Sequence, residues 1–302
     1  FAEDAGPLAH PVQPQSYMQI SNFYTATVYN KGGEVVRMLH RLLGPAVFRR
    51  GTDRYFADND GKAATIEDFL QAMETASGRD LRQFRRWYTQ AGTPVLTARG
   101  RYDAAAQTYT LTVAQSCPPT PECRDKQPFH IPLAMGLVGR AGSLPLHLRG
   151  TSAPAGSAPT DLVLELTAPE HTFIFEQVAE PPVPSLLRGF SAPVKLQFPY
   201  TPEELVFLMS RDSDGFNRWE AAQQLSVQML QAMSEQHRQN QPMTMSPHLA
   251  DAFRQVLRAP DQDPATVALL LDLPGELYLA ELATEIHTEA IHAARLFARR
   301  TL

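Results

Sequence analysis

Within residues 21–43 the side chain best suited to chemistry is the phenol of Tyr29. Residues 22–29 are rich in β-branched and aromatic types and read as extended or irregular chain. Val35, Val36, Met38, Leu39, Leu42 and Leu43 then recur with the period of one apolar helical stripe, and Gly44 followed by Pro45 ends it. A helix over 33–43 places Tyr29 on or just before its first turn. A helix N-terminus carries partial positive charge, and a phenol stays protonated at neutral pH. A hydroxyl so placed can donate a hydrogen bond to an oxygen that gains negative charge during a reaction. The competing reading is a packed tyrosine at the junction of two elements, with its ring buried and its hydroxyl at a wet edge.

Metal chemistry finds less support. A zinc-binding helix of the common protease type needs two histidines at i and i+4 with a glutamate between them. His287 and His292 are five apart, and His10, His40, His130, His147 and His171 stand singly. A third reading places a metal at His287, Glu289 and His292. Cys117 and Cys123 are too few for a disulfide framework or a four-ligand zinc site. In a reducing compartment they read as free surface thiols, with a small-loop disulfide as the alternative.

The words around Tyr29 add to this. Tyr29-Asn30-Lys31-Gly32, with Asn22-Phe23-Tyr24 upstream, resembles the Y-x-K-G segment of the zinc aminopeptidase N family. Phe84-Arg85-Arg86-Trp87-Tyr88-Thr89-Gln90-Ala91-Gly92-Thr93-Pro94-Val95 looks like the segment that closes that family's catalytic domain. Phe1-Ala2-Glu3-Asp4-Ala5-Gly6-Pro7 and Asp214-Gly215-Phe216-Asn217-Arg218-Trp219-Glu220-Ala221 look like its bacterial alanyl aminopeptidase branch. The four segments occur in order and span essentially the whole chain.

The resemblance implies part of a zinc metalloaminopeptidase of the gluzincin type, which removes N-terminal amino acids from peptides. In that family the metal and a glutamate base activate water, and the tyrosine of Y-x-K-G donates to the oxyanion; here that tyrosine is Tyr29. Tyr24 matches a position lining the pocket for the substrate's N-terminal side chain, a core aromatic being the alternative, and Ser21 falls at that pocket's edge. Lys31 is expected to pair with an acid elsewhere, and Gly32 to permit close backbone approach. The family's H-E-x-x-H and G-x-M-E-N segments do not occur in this sequence. No metal ligand is therefore expected within it, zinc belongs to the complete enzyme, and the isolated chain is expected to be inactive. The opening Phe1 and the closing Thr301-Leu302, which falls within a helical pattern, read as the ends of a C-terminal fragment.

The elements that must hold these residues follow from period and punctuation. Residues 1–20, rich in Pro, Gly and Gln, read as an irregular surface run. Helices are expected over 45–58, from 66 after a Thr65/Asp68 capping box to Ser77-Gly78, and over 80–90 with Leu81, Phe84, Trp87 and Tyr88 buried. Arg82, Arg85 and Arg86 read as solvated surface. After Gly92-Thr93-Pro94 the period changes to two, with runs at 95–97, 109–113, 129–133, 144–148, 162–166 and 172–175. They suggest a small β-sandwich whose proline-bearing runs are edge strands. Residues 181–193 read as a proline-punctuated connection. From Thr201 helices are expected over 218–233, 246–257, 263–271, 274–284 and 287–302, resembling stacked helical pairs.

The expected fold class is multidomain α+β. Residues 1–92 would be the helical end of a thermolysin-like catalytic domain, 93–190 an all-β sandwich, and 191–302 part of an α-helical, solenoid-like domain. A formal net charge of −5 without a basic run argues against nucleic acid. No apolar run approaches the roughly eighteen residues of a membrane helix. The expected partners are peptide substrates and the missing N-terminal and zinc-binding segments of the same enzyme, in a cytoplasmic monomer. The alternative from another class is a non-enzymatic interaction module, a β-sandwich with a helical-repeat surface.

Overall fold

The computed structural model describes residues 1–151, 158–258 and 263–302. The chain divides into two compact units, one of residues 1–135, 146–180 and 190–198, the other of 136–145, 181–189 and 199–302.

The first unit opens with five helices, α1 (Ala2–Ala5), α2 (Gly32–Leu43), α3 (Pro45–Asn59), α4 (Ile66–Ser77) and α5 (Arg86–Thr89). The predicted apolar stripe of α2 buries Val35, Met38, Leu39, Leu42 and Leu43, while Val36 lies at its exposed margin. Gly44 ends α2 at φ +79°, which glycine alone adopts without strain, and Pro45 starts α3 where no amide partner is lost. The Thr65/Asp68 capping box forms both of its bonds, and Gly78 closes α4 in the left-handed conformation.

Residues 80–90 depart from the expected single helix, since only α5 is helical there. Side chains cap the amides that open this stretch. Asp80 Oδ1 accepts from the Arg82 N–H at 2.8 Å, and Glu74 Oε1 from the Leu81 N–H at 2.8 Å. Tight i to i+3 bonds follow, from Trp87 N–H to Phe84 O and Tyr88 N–H to Arg85 O. The predicted burial still holds: Leu81, Phe84 and Trp87 are fully enclosed, and the Trp87 indole donates to His130 O at 2.9 Å. The arginines are not all solvated. Arg85 bridges Glu67 and Glu74, and Arg86 donates to the Pro128 carbonyl.

The strands are β1 (Val95–Asp103), β2 (Thr108–Ser116), β3 (Ile131–Gly139), β4 (Gly142–Ser143), β5 (His147–Leu148), β6 (Leu162–Leu166), β7 (Glu170–Glu176), β8 (Val183–Leu186) and β9 (Lys195–Gln197). One sheet has the order β5-β7-β2-β1-β9, with β9 parallel to β1. The other runs β4-β3-β6, and β8 also pairs with β3. The β1–β2 hairpin pairs Val95 with Ser116 through to Asp103 with Thr108. Alternate residues point inward, so Leu96, Ala98, Leu111, Val113 and Phe175 join the core.

The edge-strand reading of the prolines fails at Pro132, because β3 is paired on both sides. Ser191 shows why the residue is tolerated. Its hydroxyl accepts from the Ala134 N–H and donates to the Pro132 carbonyl, both at 2.9 Å. N–H groups two residues apart in a strand point the same way. The amide that Pro132 lacks would therefore face Ser191 and not β6.

In the second unit, residues expected to be a plain connection include β8. Its helices are α6 (Pro202–Arg211), α7 (Gly215–Arg238), α8 (Pro247–Arg258), α9 (Pro264–Leu270), α10 (Glu276–Leu282) and α11 (Thr288–Thr301). Thr201 and Glu204 form a second capping box, and Asp214 and Asp263 cap α7 and α9. Leu208, Met209, Leu225, Met229, Leu230, Phe253 and Ala294 make one apolar core. Beside it Arg188 and Asp212 form a buried ion pair at 2.9 Å. Among the described residues no helix is long and apolar enough to cross a membrane.

Candidate active site

The helical chain carrying Tyr29 begins earlier than the apolar stripe suggests. Residues 20–23 form a short 3-10 turn and residues 27–31 a wide π turn that runs directly into α2. The extended reading of 22–29 is thereby corrected. The apolar period could not show it, because the first turn is held by polar groups. Thr25 Oγ1 accepts from the Val28 N–H at 3.1 Å, while the Glu3 carboxylate accepts from Thr27 N–H at 3.1 Å and Ala26 N–H at 3.3 Å. His10 Nε2 lies 2.8 Å from the Thr25 hydroxyl and steadies that cap. Burial works against ionisation of Glu3, but the hydrogen bonds from Thr27, Ala26 and Thr25 outweigh it and hold its carboxyl below the usual range.

Such wide turns are frequent at functional sites, and this one buries Thr27 and Lys31. Tyr29 sits on it with 59% of its surface exposed, which disfavours the packed-junction alternative. Among the described residues its hydroxyl has no hydrogen-bond partner. Tyr24, 61% exposed, stacks on it with centroids 5.8 Å apart and planes 26° apart. Phe23 meets Tyr24 edge-on at 6.2 Å, and Tyr17 meets Phe23 at 5.8 Å, so an aromatic series supports the pair from one side. Tyr24 is therefore not a core aromatic. Ser21 is exposed on the 3-10 turn, where its carbonyl accepts from the Tyr24 N–H at 3.4 Å. The structure brings Tyr24 and Tyr29 together and leaves Ser21 one turn away.

On another side Tyr29 lines a cavity of about 480 Å³, together with Glu3, Lys31, Glu34 and Phe190. The acid that partners Lys31 lies at the start of the chain. Lys31 Nζ is 2.6 Å from Asp4 Oδ2 and 3.0 Å from the Gly92 carbonyl, and Thr93 donates to the same carboxylate oxygen at 3.0 Å. Asp4 and Glu3 were not singled out for any role by sequence. The signal was present, two acids ahead of a proline, but nothing local says where they fold. Gly32 does not need its missing side chain, because a Cβ there would meet Val12 at an ordinary 3.4 Å. Glu34 and Arg37 pair at i and i+3 as expected, and Arg37 also donates to the Phe190 carbonyl.

The metal reading at His287, Glu289 and His292 is not supported. His292 Nδ1 is 2.9 Å from Glu276 and His287 Nε2 is 3.3 Å from Glu285. Among the described residues no three His, Cys, Asp or Glu side chains gather to hold a metal ion. Cys117 and Cys123 are free and half-buried, and burial pushes the Cys117 thiol up.

Three family matches cover the chain in order. Residues 1–88 match the peptidase family M1 domain, 92–199 a domain of unknown function with an Ig-like fold, and 202–302 a domain of unknown function with ARM repeats. Aminopeptidase N of Escherichia coli (strain K12) is 46% identical over 303 residues, covering 100% of this chain and 34% of the relative. Aminopeptidase N of Haemophilus influenzae is 43% identical, covering 98% and 34%, and that of Caulobacter vibrioides 45%, covering 98% and 32%. The crystal structure of Legionella pneumophila aminopeptidase A in complex with aspartic acid aligns with a TM-score of 0.81 at 27% identity, covering 98% of this chain and 32% of that one. The chain spans about a third of the length of the curated relatives it matches. Residues 1–88 thus match the peptidase family M1 domain, and the whole chain is similar to about one third of a bacterial aminopeptidase N.

Proposed function

We propose that this chain is one part of a zinc aminopeptidase that removes N-terminal amino acids from peptides, in which Tyr29 stabilises the oxyanion. One observation carries the role of Tyr29. It is an exposed phenol with no partner among the described residues, fixed on a wide helical turn beside a cavity. The relatives favour this reading over a non-enzymatic interaction module.

The described residues do not fit a zinc site, so no step of the reaction is derived through metal ligands of this chain. In the complete enzyme the metal would supply Lewis acidity and an activated water, and this chain alone would be inactive. Its own contribution is positional. The Glu3 and Thr25 caps hold the first turn, the Asp4–Lys31 pair anchors the next, and the Tyr29 hydroxyl is left free to donate where negative charge develops. Tyr24, stacked against that ring, and Ser21 at the turn before it would bound the space for the substrate's N-terminal side chain. The domain limits 1–92, 93–190 and 191–302, a monomeric state, a cytoplasmic location and the absence of nucleic-acid or membrane partners belong to the same proposal.

Hydrolysis of alanyl anilides by the complete enzyme tests it. Loss of that activity in Tyr29→Phe with zinc content unchanged is expected. A variant keeping more than about a third of the wild-type kcat would reject Tyr29 as the oxyanion donor, since one such donor is worth about 10²–10³.

A further inference from the structure

Thr25 bonds twice to the turn that carries Tyr29. Its hydroxyl oxygen accepts from the Val28 N–H at 3.1 Å, and its carbonyl accepts from the Tyr29 N–H at 3.0 Å. Nothing in threonine itself selects the rotamer that aims the hydroxyl at Val28. His10 does so. Its Nε2 lies 2.8 Å from Thr25 Oγ1, while its Nδ1 donates to the Leu8 carbonyl at 2.8 Å, an atom that can only accept. The ring is thus bonded at both nitrogens. The segment that bears it is anchored as well. Ala9 and Val12, on either side, are buried, and the Gln13 N–H donates to the Tyr88 carbonyl at 2.9 Å. Val12 Cγ1 sits beside Gly32, 3.4 Å from where a Cβ would stand. Residues 9–13 therefore reach the Tyr29 turn at both ends, at Thr25 through His10 and at Gly32 through Val12.

We propose that His10 is a positioning residue for the reaction: by fixing Thr25 it sets the backbone at Tyr29, and so the place of the phenol that donates to the oxyanion. The inference rests on the aminopeptidase reading of Tyr29. A misplacement of about 1 Å in such a group costs on the order of 10²-fold in rate. The oxyanion exists only near the transition state, so loosening the turn lowers kcat and leaves substrate binding alone. A histidine that served only the fold would instead lower stability without regard to the Tyr29 hydroxyl.

The test measures alanyl anilide hydrolysis by the complete enzyme carrying His10→Leu or His10→Gln, each alone and combined with Tyr29→Phe. His10→Leu removes both ring bonds and should lower kcat about tenfold, less than the roughly 10²–10³ of losing the hydroxyl outright. Its KM should stay within about twofold of wild type. His10→Gln, whose amide can still bond Thr25, should keep at least about a third of the wild-type kcat. In Tyr29→Phe no hydroxyl is left to position, so adding His10→Leu should cost less than about twofold more. Thr25→Val, which keeps the side-chain shape and removes the hydroxyl, repeats the cycle and replaces His10→Leu should that variant not fold. An equal loss with and without the Tyr29 hydroxyl marks a purely structural role and overturns the inference, as does His10→Gln no better than His10→Leu. Wild-type kcat in both His10→Leu and Thr25→Val also overturns it and leaves the Tyr29 reading intact. Tyr29→Phe keeping more than about a third of the wild-type kcat overturns both.

Discussion

Lys31 Nζ lies 2.6 Å from Asp4 Oδ2, and the two side chains are 9% and 6% exposed. This pair, with the Gly92 carbonyl and the Thr93 hydroxyl, ties three separate segments of the first unit behind the turn that carries Tyr29. A buried charge that loses its partner is costly, whereas replacing both partners with apolar groups is often tolerated. Lys31→Met should therefore destabilise by about 3–5 kcal/mol, read as a lower thermal transition. Asp4→Leu with Lys31→Met should recover most of that loss. A single mutant within about 1 kcal/mol of wild type would show that the pair does not hold the fold.

Tyr29→Phe separates chemistry from stability. The hydroxyl bonds to nothing among the described residues and the ring is exposed, so its removal should shift stability by less than about 0.5 kcal/mol. The same change should lower kcat by about 10²–10³. Parallel thermal melts and anilide kinetics check the two halves.

Glu74 predicts a pH dependence. The Arg85 guanidinium at 2.8 Å holds its carboxyl below the ordinary range, burial opposes this, and the Leu81 N–H adds to it. A carboxyl whose folded-state pKa is depressed contributes stability above its unfolded value, near about 4.3, and loses it as pH falls through the folded value. Glu74→Gln should thus cost about 1.5 kcal/mol at neutral pH, typical of a charged hydrogen bond. The difference from wild type should shrink steadily below about pH 4. Melting temperatures of the two proteins from pH 7 to pH 3 check the trend, and a constant difference would refute it.

Gly136→Ala probes the second unit. A Cβ at Gly136 would fall 2.5 Å from Arg188 Cζ, and that guanidinium is held by Asp212 at 2.9 Å and by Ser185 Oγ at 2.8 Å. Arg188 can yield only by stretching those buried bonds, while burial already pushes the Asp212 carboxyl up. The expected cost is about 1–3 kcal/mol, typical of overpacking. Calorimetry of the complete enzyme measures it.

The sequence by itself determined the elements whose signals are local. The α2 stripe, the Thr65/Asp68 capping box and the change of period at Gly92-Thr93-Pro94 each depend on neighbours within a few residues, and each appears as read. The same locality let the Y-x-K-G word single out Tyr29. Only the tertiary structure decided what depends on distant segments. Pro132 sits in a paired strand because Ser191 faces the missing N–H. The Tyr29 turn starts at residue 27 because Glu3 supplies its cap, and Lys31 finds its acid in Asp4. In each case the deciding bond joins groups that no residue period relates, since hydrogen bonding and charge pairing depend on proximity in space rather than along the chain.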